Sequence, residues 1–87
     1  MPDSHRLHWH QLAWRTTFKR VRPDESRIYD ADGDYVGDVY AHDDILNPGQ
    51  RVYLVLLEDD PRGWATVRDR ARIREVAEAR LLSHPFR

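Results

Sequence analysis

The chain contains no cysteine. Disulfides and thiolate metal sites are therefore excluded, and the redox compartment stays open. Long hydrophobic runs are missing too. The longest, Val52–Leu57, is six residues, too short to span a bilayer or to form the core of a signal peptide. A soluble, cytoplasmic protein is the expectation. Serine is scarce, limited to Ser4, Ser26 and Ser83, and no nucleophile beside a base or oxyanion hole can be read. His42 next to Asp43 and Asp44 is the one approach to an oriented imidazole, but a histidine beside loop acids is usually just solvated, and that is the reading expected. Repeats and low-complexity segments are absent. No enzymatic activity, catalytic residue, cofactor or metal is expected.

What is present is charge. The 87 residues leave room for one domain, and a chain of this size buries roughly 60–65% of its unfolded surface. Hydrophobic residues make up 40% and charged residues 33%, the composition of a folded domain with a modest core. The net charge of −1 conceals three blocks. Residues 1–23 carry Arg6, Arg15, Lys19, Arg20 and Arg22 against Asp3, a net of +4. Residues 24–60 carry eleven acids against Arg27 and Arg51, a net of −9. Residues 61–87 carry seven arginines against Asp69, Glu75 and Glu78, again +4. Either the blocks neutralise one another in the fold, or at least one faces a partner of opposite charge.

The stretch Arg27–Tyr40 reads as a β-hairpin. Short runs rich in Tyr, Ile and Val flank Asp32-Gly33, a dipeptide favoured in two-residue turns because both central residues there take positive φ. Residues 1–11, without a clean period, are expected to precede the domain as a flexible N-terminal arm. Its His5, His8 and His10 are metal-ligand types in no metal-site spacing, and Trp9 is its natural anchor. Residues 12–87 form the domain. Leu12–Arg20 alternates as a half-buried strand with a basic outer face, and Arg20–Ser26 is read as the turn that ends it. In the second hairpin arm Gly37 marks a bulge or a close approach. Ile45 and Leu46 are expected to tuck in as a helical turn before the Asn47-Pro48-Gly49 turn. Arg51–Glu58, apolar on both faces, is the central strand, so a charge at Leu54 or Leu56 is expected to unfold the domain. Trp64–Val67 returns as a short strand. Asp69–Ser83 is the helix, with Asp69 at its N-cap and Ile73, Val76, Ala77 and Leu81 as the stripe facing the sheet.

The order predicts an α+β fold: an antiparallel meander of four to five strands, open or half-closed into a barrel, with the C-terminal helix packed on one face. Three uses follow from the side chains. Asp30, Asp32, Asp34, Asp38, Asp43, Asp44, Glu58, Asp59 and Asp60, with Tyr35, gather on or near the turns. They are read as a surface that binds a basic face of a protein partner, with an inhibitor of a nucleic-acid-handling complex, of phage or mobile-element type, as one form of it. The alternative is a small nucleic-acid-binding protein that uses Arg15, Lys19, Arg20 and Arg22 of the first strand with Arg68, Arg70, Arg72 and Arg74 near the helix. The third is a homodimer joined along the Leu12–Arg20 edge. The alternating Asp30, Asp32 and Asp34 resemble the start of a calcium loop, but Gly33 and Ala41 occupy the wrong positions for one, so a plain turn is expected there.

Overall fold

The computed structural model describes residues 16–85. The expected arm with its histidines, Arg15, and the first part of the expected Leu12–Arg20 strand lie outside the described residues. Five strands follow in order: β1 (Thr17–Arg22), β2 (Glu25–Tyr29), β3 (Tyr35–Asp43), β4 (Arg51–Leu57) and β5 (Ala65–Val67). They form one sheet in the order β1-β2-β3-β4-β5, with every neighbouring pair antiparallel. The meander is open, not closed into a barrel. A 3-10 turn at Arg70–Arg72 leads into the helix α1 (Ile73–Leu82), which packs on one face of the sheet. No helix among the described residues is long and apolar enough to cross a membrane.

Two connections differ from expectation. β1 runs on to Arg22 and β2 begins at Glu25, so only Pro23 and Asp24 turn the chain. A register shift between Arg20 and Arg22 accommodates the tight return. Conversely, the β2–β3 loop is longer than two residues, because Tyr29 pairs with Tyr35 and leaves Asp30–Asp34 outside the ladder. Gly33 alone in this loop takes positive φ, at 85°. The cause is Asp30: its Oδ1 accepts hydrogen bonds from the Asp32 and Asp34 amides, both at 2.9 Å. That side chain imitates a backbone turn and makes a second left-handed residue unnecessary.

The core is one-sided. Ile28, Val36, Val39, Val55, Leu57, Val67 and Ala77 are buried together, with Phe18, Tyr53, Ile73, Val76 and Leu81 packed around them. The expected helical stripe is thus the packed one. A register shift between Ile28 and Tyr29 inserts an extra residue in the ladder, and Val36 joins Val39 in the core although the two are three apart. β4 departs from its expected two-sided burial. Val55 and Leu57 are 1% and 2% exposed, whereas Leu54 and Leu56 on the other face are half-buried. That face carries Tyr40 and Trp64, whose rings meet edge-on at 5.5 Å, and Trp64 stays 48% exposed. A single helix covers only one face.

Asp69 does cap, but it caps the 3-10 turn: its side chain accepts from the Ala71 amide at 3.0 Å. The α-helix proper starts four residues later, at Ile73. Ile45 and Leu46 do not tuck in; they are 93% and 81% exposed. Asp44 organises the loop instead. It is buried, its carboxylate accepts from the Leu46 amide and from Asn47 Nδ2, both at 3.0 Å, and it pairs with Arg68. With the polar anchor inside, the two apolar neighbours are left at the tip.

Candidate functional site

Alternate turns of a meander fall at the same end of the sheet. The β2–β3 loop and the β4–β5 turn therefore share one end, and the Glu58 amide donates to the Val36 carbonyl at 2.8 Å. Tyr35, the first residue of β3, stands between them. Its hydroxyl donates to Asp38 Oδ2. That hydrogen bond, then partial burial, then the charges of Asp38 and Glu58, push its pKa well above the ordinary phenol range. The Arg27 guanidinium lies 5.6 Å from the centre of the Tyr35 ring, and Tyr29 meets the same ring edge-on at 6.2 Å. Tyr35 remains 38% exposed.

The acids read from the sequence divide into those the fold consumes and those it displays. Asp60 is consumed. Its side chain is fully buried and accepts from the Arg62 amide, Nε and Nη2 at 2.9, 2.8 and 2.7 Å, with Arg80 at 3.6 Å. These bonds hold its carboxyl far below the usual carboxylate range against the cost of burial. Arg62 also donates to the Arg80 carbonyl at 3.0 Å and to Ser83 Oγ at 2.7 Å, tying the turn to the end of α1. Asp44 is consumed by its loop and Arg68. Asp43 lies at the other end of the sheet, 3.9 Å from Arg51, and Asp38 faces Arg27 across the ladder. Asp32, Asp34, Glu58 and Asp59 remain. All four are exposed, and none joins an ion pair among the described residues. Asp30, Asp32 and Asp34 bring carboxylate oxygens within 4.8 Å of one another, so negative potential concentrates at this tip.

The basic set divides the same way. Arg22 pairs with Glu25 at 2.6 Å, Arg72 with Glu75 at 2.9 Å, and Arg68 with Asp44. Lys19 lies across from Arg27, on the face away from α1. Arg20, Arg70 and Arg74 instead converge on a groove of about 510 Å³ between the sheet and the start of α1. The groove exists because α1 packs chiefly against β4 and β5, leaving the β1–β3 part of that face uncovered. Sequence reasoning did not foresee it, since helix position over a sheet is set by packing rather than by local pattern. The Asp60-x-Arg62 spacing could have signalled the buried pair, but it resembles any charged turn.

Comparison with known proteins gives no match to a protein family, to a curated protein or to a solved structure.

Proposed function

We propose that this domain is a non-enzymatic interaction module that presents its acidic end to a basic surface of a protein partner. One observation carries the reading: Tyr35, exposed where β3 leaves the β2–β3 loop, has its hydroxyl held by Asp38 and lies in the field of Glu58 from the β4–β5 turn. The exposed carboxylates outside the ion pairs of the described residues, Asp32, Asp34, Glu58 and Asp59, lie in the two turns at this end of the sheet. An incoming arginine or lysine meets carboxylates for its charge and a ring for its stem, the combination that interfaces use. Arg27 over the Tyr35 ring is an intramolecular example of that contact. Closely spaced carboxylates also compete with phosphates for a basic surface, so inhibition of a nucleic-acid-handling protein is the form of the proposal with the most direct chemistry.

The test is a titration of the protein with a hexa-arginine peptide, followed residue by residue by NMR. Shifts centred on Asp32, Asp34, Tyr35, Glu58 and Asp59 are expected, with affinity falling about tenfold in Asp32→Lys/Asp34→Lys. Asp30 is left in place so that the turn keeps its two side-chain bonds. Unchanged affinity in the double variant, or shifts centred elsewhere, overturns the proposal.

A further inference from the structure

We infer that the groove between β1–β3 and the start of α1 is a binding site for a nucleotide unit, its ring on the aromatic floor and its phosphate between Arg20 and Arg70. The inference is independent of the acidic end and uses the opposite region of the molecule. Phe18 and Tyr53 form the floor, Ile73 closes its back, and Arg20, Arg70 and Arg74 stand around it. The volume, about 510 Å³, lies in the range of small-ligand sites, roughly 300–1,000 Å³.

Charge decides what this groove accepts. Four guanidiniums line it, those of Arg20, Arg51, Arg70 and Arg74, against the carboxylates of Asp24 and Glu25. Both acids are already engaged: Asp24 with Arg51 at 2.7 Å and Glu25 with Arg22 at 2.6 Å. Arg20 and Arg70 join no ion pair among the described residues. They come from opposite walls, one from β1 and one from the 3-10 turn. Positive charges on two walls of one groove add their potentials within it, and guanidinium forks match phosphate oxygens in pairs.

The floor argues for a ring in addition to an anion. The Arg74 guanidinium lies over the Phe18 ring, 5.4 Å from its centre, so the planar surfaces offered to a base are that guanidinium and the Tyr53 ring. Bases stack on such surfaces without regard to sequence. An acidic or phosphoserine peptide would leave these planar surfaces without a partner. At the groove's own end Asp43 lies 3.9 Å from Arg51 and Asp44 pairs with Arg68, and the two remaining acidic turns are remote. They lie at the β2–β3 and β4–β5 end, whereas the groove is bounded by Pro23 of the β1–β2 turn and by Arg51 at the start of β4.

The same chemistry is offered by a free nucleotide and by one residue of a single strand, so the experiment has both arms. The full chain is titrated with adenosine monophosphate and, separately, with a ten-nucleotide single strand. Inorganic phosphate and a phosphoserine peptide serve as ringless probes. In either nucleotide arm, amide shifts are expected at Arg20, Val39, Tyr53, Arg70 and Ile73, with binding that weakens as salt rises. The strand is the source if it binds at least tenfold more tightly than the mononucleotide; the free nucleotide is the source if the two are equal. Arg20→Gln and Arg70→Gln, both on exposed side chains, are each expected to lose about tenfold in affinity with melting unchanged. Absence of shifts in both nucleotide arms overturns the inference. So does equal affinity for the ringless probes, or undiminished binding in both glutamine variants.

Discussion

Gly37 in β3 lies so close to β4 that a Cβ on it would overlap the Leu56 carbonyl oxygen and stand 3.0 Å from Leu57 Cα. Both are backbone atoms of a paired strand, so they cannot swing away as the Leu57 side chain, also 3.0 Å from that Cβ, could. Gly37→Ala is therefore expected to destabilise the domain by about 2–3 kcal/mol, the upper part of the range for overpacking a filled interior. Urea unfolding checks it, as a lowered midpoint with an unchanged slope. A loss under 0.5 kcal/mol would mean that the strands part more easily than this contact implies.

That glycine was legible in the sequence, and the reason is instructive. Gly37 interrupts a run of β-forming residues, and a local interruption of that kind has few explanations. The meander was legible for the same reason: period-2 stretches separated by Asp-Gly and Asn-Pro-Gly turns are short-range signals. What was not legible depended on partners distant in the chain. Leu54 and Leu56 looked as deeply buried as Val55 and Leu57 because the run gives no sign that only one face has a helix. Asp44 and Asp60 looked like members of a surface array because Arg68, and Arg62 with Arg80, meet them only in the fold. Of the acids read from the sequence, Asp32, Asp34, Glu58 and Asp59 are exposed and outside the ion pairs of the described residues, and the groove could not be seen at all.

The one-sided burial of β4 gives a sharp comparison. Val55→Asp is expected to abolish the folded state, because a carboxylate among Ile28, Val39 and Ala77 finds no partner and burial of an unpaired charge is not recovered. Leu54→Asp reaches solvent and is expected to lower stability while keeping a cooperative transition. Circular dichroism melts of both variants decide the matter. Equal collapse would show that the second face is as closed as the first.

Asp60 makes the stability depend on acid in a defined direction. Its folded pKa is depressed, first by the hydrogen bond from Arg62. A depressed carboxyl contributes stability that is complete above its ordinary value near 4. That stability is lost as pH falls below this value toward the folded one. Melting temperature is thus expected to decline from about pH 5 to pH 2. In Asp60→Asn that dependence is expected to flatten. At neutral pH the same variant is expected to lose about 3 kcal/mol, the lower end for breaking a buried pair, because Arg62 keeps partial access to water. An asparagine variant with the parent's acid profile would assign the dependence to another carboxyl.

Tyr35 offers the corresponding test at alkaline pH, at the centre of the acidic end. Its phenol is held protonated first by the hydrogen bond it donates to Asp38, then by partial burial, and then by nearby negative charge. A raised folded pKa means that the neutral phenol contributes stability below its ordinary value near 10, and that the contribution fades as pH rises above it. Asp38→Asn removes a charge and weakens the acceptor, so Tyr35 is expected to ionise closer to that ordinary value. Glu58→Gln removes only a more distant charge and is expected to shift it less in the same direction. Ultraviolet difference titration isolates the residue when each profile is compared with that of the matching Tyr35→Phe variant. A measurable Glu58 effect would mean that the β4–β5 turn acts on Tyr35 in solution, bringing its charge to the residue that borders the β2–β3 loop, the arrangement on which docking of a basic partner at this end depends. A null effect there, with the Asp38 shift intact, would leave Tyr35 tied to its own strand and separate the two turns as binding elements.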